Sequence, residues 1–162
     1  MSEQDTPRRA LVSACLLGRE CTYKATHNGD GILRDELAAE GIEAIPFCPE
    51  EHGGLGTPRL PADLTASADD VLDGRGTVVT DAGDDVTEGF LRGARGALET
   101  CARLGLKRAY LKERSPSCGC AATHVAGEVV DGPGVTAALL RRHGVECTGV
   151  EGRRDAPDDV SS

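Results

Sequence analysis

Short apolar runs alternate with longer stretches of helical periodicity along this chain. Ala10-Leu11-Val12-Ser13-Ala14 reads as a buried strand that ends at Cys15. Gly18 and the polar stretch Lys24 to Asp30 mark a loop. Ile32, Leu33, Glu36, Leu37 and Glu40 then suit a short helix closed by Gly41 at the C′ position. Glu43 to Phe47 is a second strand running into Cys48-Pro49-Glu50, weakened at Pro46, which cannot donate to a ladder. Residues 53–64 are rich in Gly and Pro and predict a loop. Val71-Leu72 and Thr77 to Thr80 flank Asp73-Gly74-Arg75-Gly76, which predicts a hairpin. Val86, Phe90, Ala94, Ala97, Leu98, Cys101 and Leu104 recur at helical spacing. Asp85 and Glu88 form a capping-box-like start to this helix and Gly105 a stop. Arg108 to Lys112 is a third strand, Val135 to Arg142 a helix after the Gly132-Pro133-Gly134 turn, and Val145 to Thr148 a last strand.

Strands alternating with helices imply βαβ units and a mostly parallel sheet. The expected fold is therefore α/β, a single three-layer domain of Rossmann-like character with a small β-hairpin insertion. The expected boundaries are an N-terminal extension at 1–8, the domain at 9–150 and a disordered tail at 151–162, whose residues are almost all polar. Parallel sheets bind ligands outside the carboxyl ends of their strands. Cys15, Cys48 and the loop from Ser115 to Cys118 each follow the end of a predicted strand, so thiols from three separate segments can converge on one rim.

Composition narrows the classes. The 162 residues carry 18 Lys+Arg against 27 Asp+Glu, a formal net charge of −9. So acidic a surface serves solubility and argues against a nucleic-acid polymer as partner. No apolar run approaches the ~20 residues of a membrane span, and the N-terminus lacks the apolar stretch of a secretory signal; a cytoplasmic protein is expected. With only Tyr23, Phe47, Phe90 and Tyr110 as aromatics, the core must be built from Leu, Val, Ala and Cys.

Seven cysteines change the picture most. An odd number without an export signal argues against a disulfide framework. Cys101 lies on the apolar stripe of the long helix and Cys147 in the last strand, so both read as core thiols. Cys21 and Cys120 lack standard zinc-pair spacing and read as bystanders. Cys15, Cys48 and Cys118 are bracketed by loop residues and read as functional. Three thiolates suit an iron–sulfur cluster with one open iron; a zinc site of three Cys and one of His27, His52 or His124 is the alternative. Glu50 is a candidate acid–base group, Arg59 a candidate for orienting a ligand, and Ser115 and Ser117 are loop hydroxyls beside Cys118.

Six blocks then occur in order: Ser13-Ala14-Cys15-Leu16-Leu17-Gly18, Cys48-Pro49-Glu50-x₂-Gly53-Gly54-Leu55, Thr57-Pro58-Arg59-Leu60-Pro61, Asp85-Val86-Thr87-Glu88-Gly89-Phe90, Leu111 through Gly119, and Gly134-Val135-Thr136-Ala137-Ala138-Leu139-Leu140. Over about residues 9–150 the chain resembles a bacterial and archaeal family that includes the thiouracil desulfidases (TudS-like). The resemblance implies a [4Fe-4S] cluster on Cys15, Cys48 and Cys118 whose open iron takes the sulfur of a small thiocarbonyl compound. It further implies catalytic roles for Glu50 and Ser115, with Arg59 and Ser117 toward the substrate. It implies non-redox, hydrolytic release of sulfide. The competing class is a non-catalytic sensor or storage protein for a cluster or metal. The chain departs from the family pattern at Lys24-Ala25-Thr26 and at Asp63, both in positions where substrate is lined.

Overall fold

The computed structural model describes residues 8–22 and 24–154. Four parallel strands, β1 (Arg8–Ser13), β2 (Ile42–Phe47), β5 (Arg108–Lys112) and β8 (Glu146–Val150), form one sheet in the order β2-β1-β5-β8. Strand alternation sorts its side chains onto two faces. Ala10 and Val12 of β1 meet Leu33 and Leu37 of helix α1 (Gly31–Ala39) on one face. Leu11, Ala109 and Leu111 meet Ala97 and Cys101 of α4 (Thr87–Leu104), and Ala137 and Leu140 of α5 (Val135–Arg142), on the other. The result is the expected three-layer α/β sandwich. Pro46 is tolerated because β2 is an edge strand, where the missing N–H faces away from β1.

The β insertion is larger than expected and differently built. β3 (Ala62–Leu64), β4 (Val78–Thr80), β6 (Ala122–Val125) and β7 (Glu128–Asp131) make a second sheet in the order β4-β3-β6-β7. The hairpin expected around Asp73-Gly74 does not form. Val71 and Leu72 belong to α3 (Ala68–Leu72), which starts where Ser67 Oγ accepts from Asp70 N. Gly74, at φ +81°, terminates α3 in the left-handed region instead of turning a hairpin. The tight hairpin lies elsewhere, between β6 and β7, with Ala126 (φ +51°) and Gly127 (φ +83°) as the turn pair. Residues 62–64, expected as loop, pair antiparallel with β4.

The expected capping start is displaced: Val86 is the N-cap of α4 and makes no side-chain cap bond, while Asp85 Oδ1, one residue earlier, accepts from Thr87 N at 2.9 Å. Glu88 does not complete a capping box; it is ion-paired with Arg95 on the exposed face. One feature of α4 positions the site. Gly93 and Gly96 face the short helix α2 (Pro49–His52): a Cβ at Gly93 would collide with the Pro49 carbonyl and one at Gly96 with the His52 ring. Two glycines thus let the backbone that carries Glu50 dock directly on the long helix.

Residues 151–154, assigned from the sequence to the frayed tail, are tied down. Gly31 N donates to the Arg154 carbonyl at 2.7 Å, and Arg154 Nε donates to the buried Asp30 Oδ2 at 2.7 Å. Residues 1–7 and 155–162 of the expected extension and tail lie outside the described residues.

Candidate functional site

The chain leaves β1, β2 and β5 at the same end of the sheet. Strand order reverses beside β1, so a crevice opens between the segments that follow β1 and β5. A cavity of about 380 Å³ occupies it, within the usual size of a small-molecule site. Cys15, Cys48 and Cys118 all line it, as do Glu50, Arg59, Ser115 and Ser117. Lys24, Asp63 and His124 also line it, so both departures from the family pattern fall on its wall.

Each thiol is held by local backbone chemistry. Cys15 sits in a 3-10 turn at Ala14–Leu17, and its carbonyl accepts from Gly18 N and Asn28 N. Cys48 precedes Pro49, the first residue of α2, and its carbonyl accepts from His52 N. Cys118 rides on a turn organised by Ser115, whose Oγ accepts from Ser117 N at 3.2 Å and Cys118 N at 3.1 Å.

Cys21 stands at the centre of this group. Its thiol is in hydrogen-bond contact with both Cys15 and Cys48. The Cys21 hydrogen bond outweighs burial and brings the Cys15 pKa down to about 7. The same contact lowers Cys48, and Cys21 is raised in turn. Burial pushes Cys118 up to about 12, against hydrogen bonds from Ser13 and Ser117. Metal ligation needs thiolates, and a bound cation supplies the driving force to deprotonate a thiol such as Cys118. An all-sulfur donor set at the ends of three strands fits an iron–sulfur cluster.

Beside the sulfurs lies a polar chain. Arg59 Nε donates to Glu50 Oε1 at 3.0 Å, while its Nη1 donates to the Gly56 carbonyl and its Nη2 to the Cys21 carbonyl. Ser117 Oγ donates to Glu50 Oε2 at 3.1 Å and lies 3.1 Å from Ser115 Oγ. Arg59 and Ser117, expected to meet the substrate, line the cavity and each also hydrogen-bonds one oxygen of Glu50. Ser115 is reached from Glu50 only through Ser117.

Of the histidines in the zinc alternative, only His124 lines the cavity. His27 Nδ1 accepts from Gly29 N, and His52 packs on Phe47 at 5.0 Å between ring centroids. Among the described residues no histidine joins the sulfurs at metal-ligand spacing. Sequence reasoning placed Cys21 among bystanders and did not single out Ser13 or Lys112. Ser13 is the last residue of β1, where its Oγ accepts from Lys112 N and its hydroxyl hydrogen-bonds Cys118.

Glu113 braces the Cys118 loop from behind. Its Oε1 accepts from the backbone N–H groups of Cys120, Ala121 and Ala122. Gly149 on β8 leaves room for this carboxylate, which a Cβ there would overlap. Burial opposes the charge, but these backbone donors win and Glu113 is held below its ordinary value of 4.5. A lowered folded-state value means stability that is full above the ordinary value and is lost as pH falls through the lowered one. Glu113→Gln is thus expected to cost ~1–3 kcal/mol at neutral pH, typical for a lost charged acceptor. Urea midpoints taken between pH 7 and pH 3 should show that difference shrinking at the acid end.

An α/β domain with a thiol-lined crevice at its parallel strand ends defines the class. The comparisons with known proteins name the family. The profile of the 2-thiouracil desulfurase family matches residues 10–151, and the chain belongs to that family. The uncharacterized protein YbbK of Bacillus subtilis (strain 168) is 41% identical over 138 residues, covering 83% of this chain and 90% of the relative. Among solved structures, the [4Fe-4S]-dependent thiouracil desulfidase TudS matches with a TM-score of 0.75 and 42% identity, over 88% of this chain and 90% of that one.

Proposed function

We propose that this protein hydrolyses the C–S bond of a small thiocarbonyl compound of the thiouracil type, releasing sulfide and the corresponding oxo-base. The observation that carries the reading is the meeting of Cys15, Cys48 and Cys118 with Glu50 on one cavity wall. Membership of the family and the likeness to TudS support it. A [4Fe-4S] cluster on those three cysteines, with one iron free of protein ligands, supplies a soft Lewis acid suited to a thione sulfur.

The chain's own groups do the proton chemistry. Glu50 takes a proton from the water that attacks the sulfur-bearing carbon. Arg59 and Ser117 each bind one of its oxygens and fix the carboxylate plane, so the base meets the water in a set direction. Ser115, at the cavity end of the polar chain, hydrogen-bonds the substrate or passes a proton. Water adds, sulfide departs and carbonyl oxygen replaces sulfur, so no electron donor or nucleotide cofactor is needed.

The test is anaerobic reconstitution followed by iron and sulfide analysis and incubation with 2-thiouracil. A brown protein with ~4 iron atoms per chain, releasing sulfide and uracil in equal amounts, is the expected result. A loaded cluster without sulfide release points to the sensor or storage class instead.

A further inference from the structure

Cys21 is 2% exposed, its Sγ lies within 4.8 Å of that of Cys48, and Cys15 lines the same cavity. Glu51 comes to the same place from α2: the Sγ atoms of Cys21 and Cys48 and a Glu51 carboxylate oxygen all lie within 4.8 Å of one another. This carboxylate is half used. Its Oε2 accepts from Thr57 Oγ1 at 2.6 Å. Its Oε1 is buried with no hydrogen-bond donor aligned to it. Arg19 Nη2 lies 2.9 Å from Oε1 as an ion pair, on a side chain that is 63% exposed.

A tetrahedral zinc site with ~2.3 Å Zn–S bonds sets its donors about 3.8 Å apart. The group therefore needs to close by only ~1 Å to reach that spacing. We infer that Cys21, Cys48 and Glu51, with Cys15 beside Cys21 as the fourth donor, hold a single thiophilic divalent ion when no cluster is present. Binding releases the thiol protons, and the ion takes a Glu51 carboxylate oxygen as its oxygen donor.

This second mode of the cavity differs from the cluster reading, on which its competition with the cluster rests, by three residues. Cys21 and Glu51 belong to the ion, and Cys118 belongs to the cluster. The Cys118 thiol accepts from Ser117 Oγ at 3.6 Å and lies outside the Cys21, Cys48 and Glu51 group. Since Cys15 and Cys48 serve both, a bound ion blocks cluster assembly.

The experiment uses the full chain, stripped of iron anaerobically and titrated with Co²⁺. One Co²⁺ per chain is expected, with the charge-transfer and d–d bands of a tetrahedral thiolate site. Cys21→Ser should weaken Co²⁺ binding at least ~100-fold, beyond what loss of an outer-shell partner costs, and Glu51→Gln at least ~10-fold. Cys118→Ser should bind Co²⁺ like the parent. In cluster reconstitution the order reverses: Cys21→Ser takes up iron and Cys118→Ser does not. Far-ultraviolet circular dichroism establishes that each variant is folded, and Glu51→Gln decides the matter if Cys21→Ser is not. Parent-like Co²⁺ binding by a folded Cys21→Ser or Glu51→Gln variant, or equal loss in Cys118→Ser, overturns the inference. Cluster uptake by Cys118→Ser would sink the cluster reading while leaving the Co²⁺ result standing.

Discussion

Cys15→Ala, Cys48→Ala and Cys118→Ala each yield a colourless protein that retains no more than background iron after reconstitution, whereas Cys101→Ala loads iron like the parent. The contrast comes from where the four thiols sit. The first three line the cavity at the ends of β1, β2 and β5. Cys101 is buried between α4 and the sheet, with its thiol pushed up to about 11 by burial. Removing its sulfur is a packing loss of ~1 kcal/mol, read as a small drop in melting temperature. A cluster held by three thiolates loses its hold when one of them is removed. Iron retained at parent level in any one of the three alanine variants would remove that cysteine from the ligand set.

The second large effect concerns Glu50. Glu50→Gln should remain brown and folded yet turn over thiouracil at least ~10²-fold more slowly, the lower range for loss of a general base. The amide keeps the shape of the carboxylate: its oxygen can still accept from Arg59 Nε, and its NH₂ can donate to Ser117 Oγ, which now accepts. What disappears is the capacity to take a proton. Ser115→Ala should lose less, since that hydroxyl meets Glu50 only through Ser117. Full activity in Glu50→Gln would assign the base elsewhere, and loss of iron would make Glu50 a ligand. Measuring iron and rate on the same samples separates these outcomes.

The parts legible in the sequence are those in which pattern and packing agree. β5 and α5 fall on the predicted residues because each is a clean periodic run between strong stop signals. The long helix α4 is legible for the same reason, its stripe from Phe90 to Cys101 buried as its spacing requires. Of the second sheet only β4, at Val78–Thr80, falls on an expected strand; the others, of three or four residues, carry too little alternation to register. Asp73-Gly74 misleads there, since the same dipeptide ends a helix or turns a hairpin, and the Ser67 cap decides between them. At the site, the convergence of three cysteines follows from strand direction alone. The centrality of Cys21 does not: it depends on the path of the loop after Gly18, and on an Arg59 guanidinium reaching back 38 residues to the Cys21 carbonyl. No spacing rule encodes a contact of that kind.

The two sheets differ in how their strands are sewn together. In the first, β1 and β2 pair over six residues, β5 and β8 over five, and β1 and β5 at Leu11↔Ala109 and Val12↔Tyr110, with Lys112 N donating to Ser13 Oγ beyond them. In the second, the β3–β4 pair meets the β6–β7 hairpin at the single ladder position Leu64↔Val125, reinforced by Ala126 N donating to the Leu64 carbonyl. Ala62, Asp63 and His124, which line the cavity, stand on the two sides of that seam. Local opening free energy follows the number of bonds that must break together. Amide protons along the seam should therefore exchange with deuterium well before those of β1 and β5. The wall of the cavity can breathe to admit and discharge small molecules, while the strands that present the sulfurs stay closed.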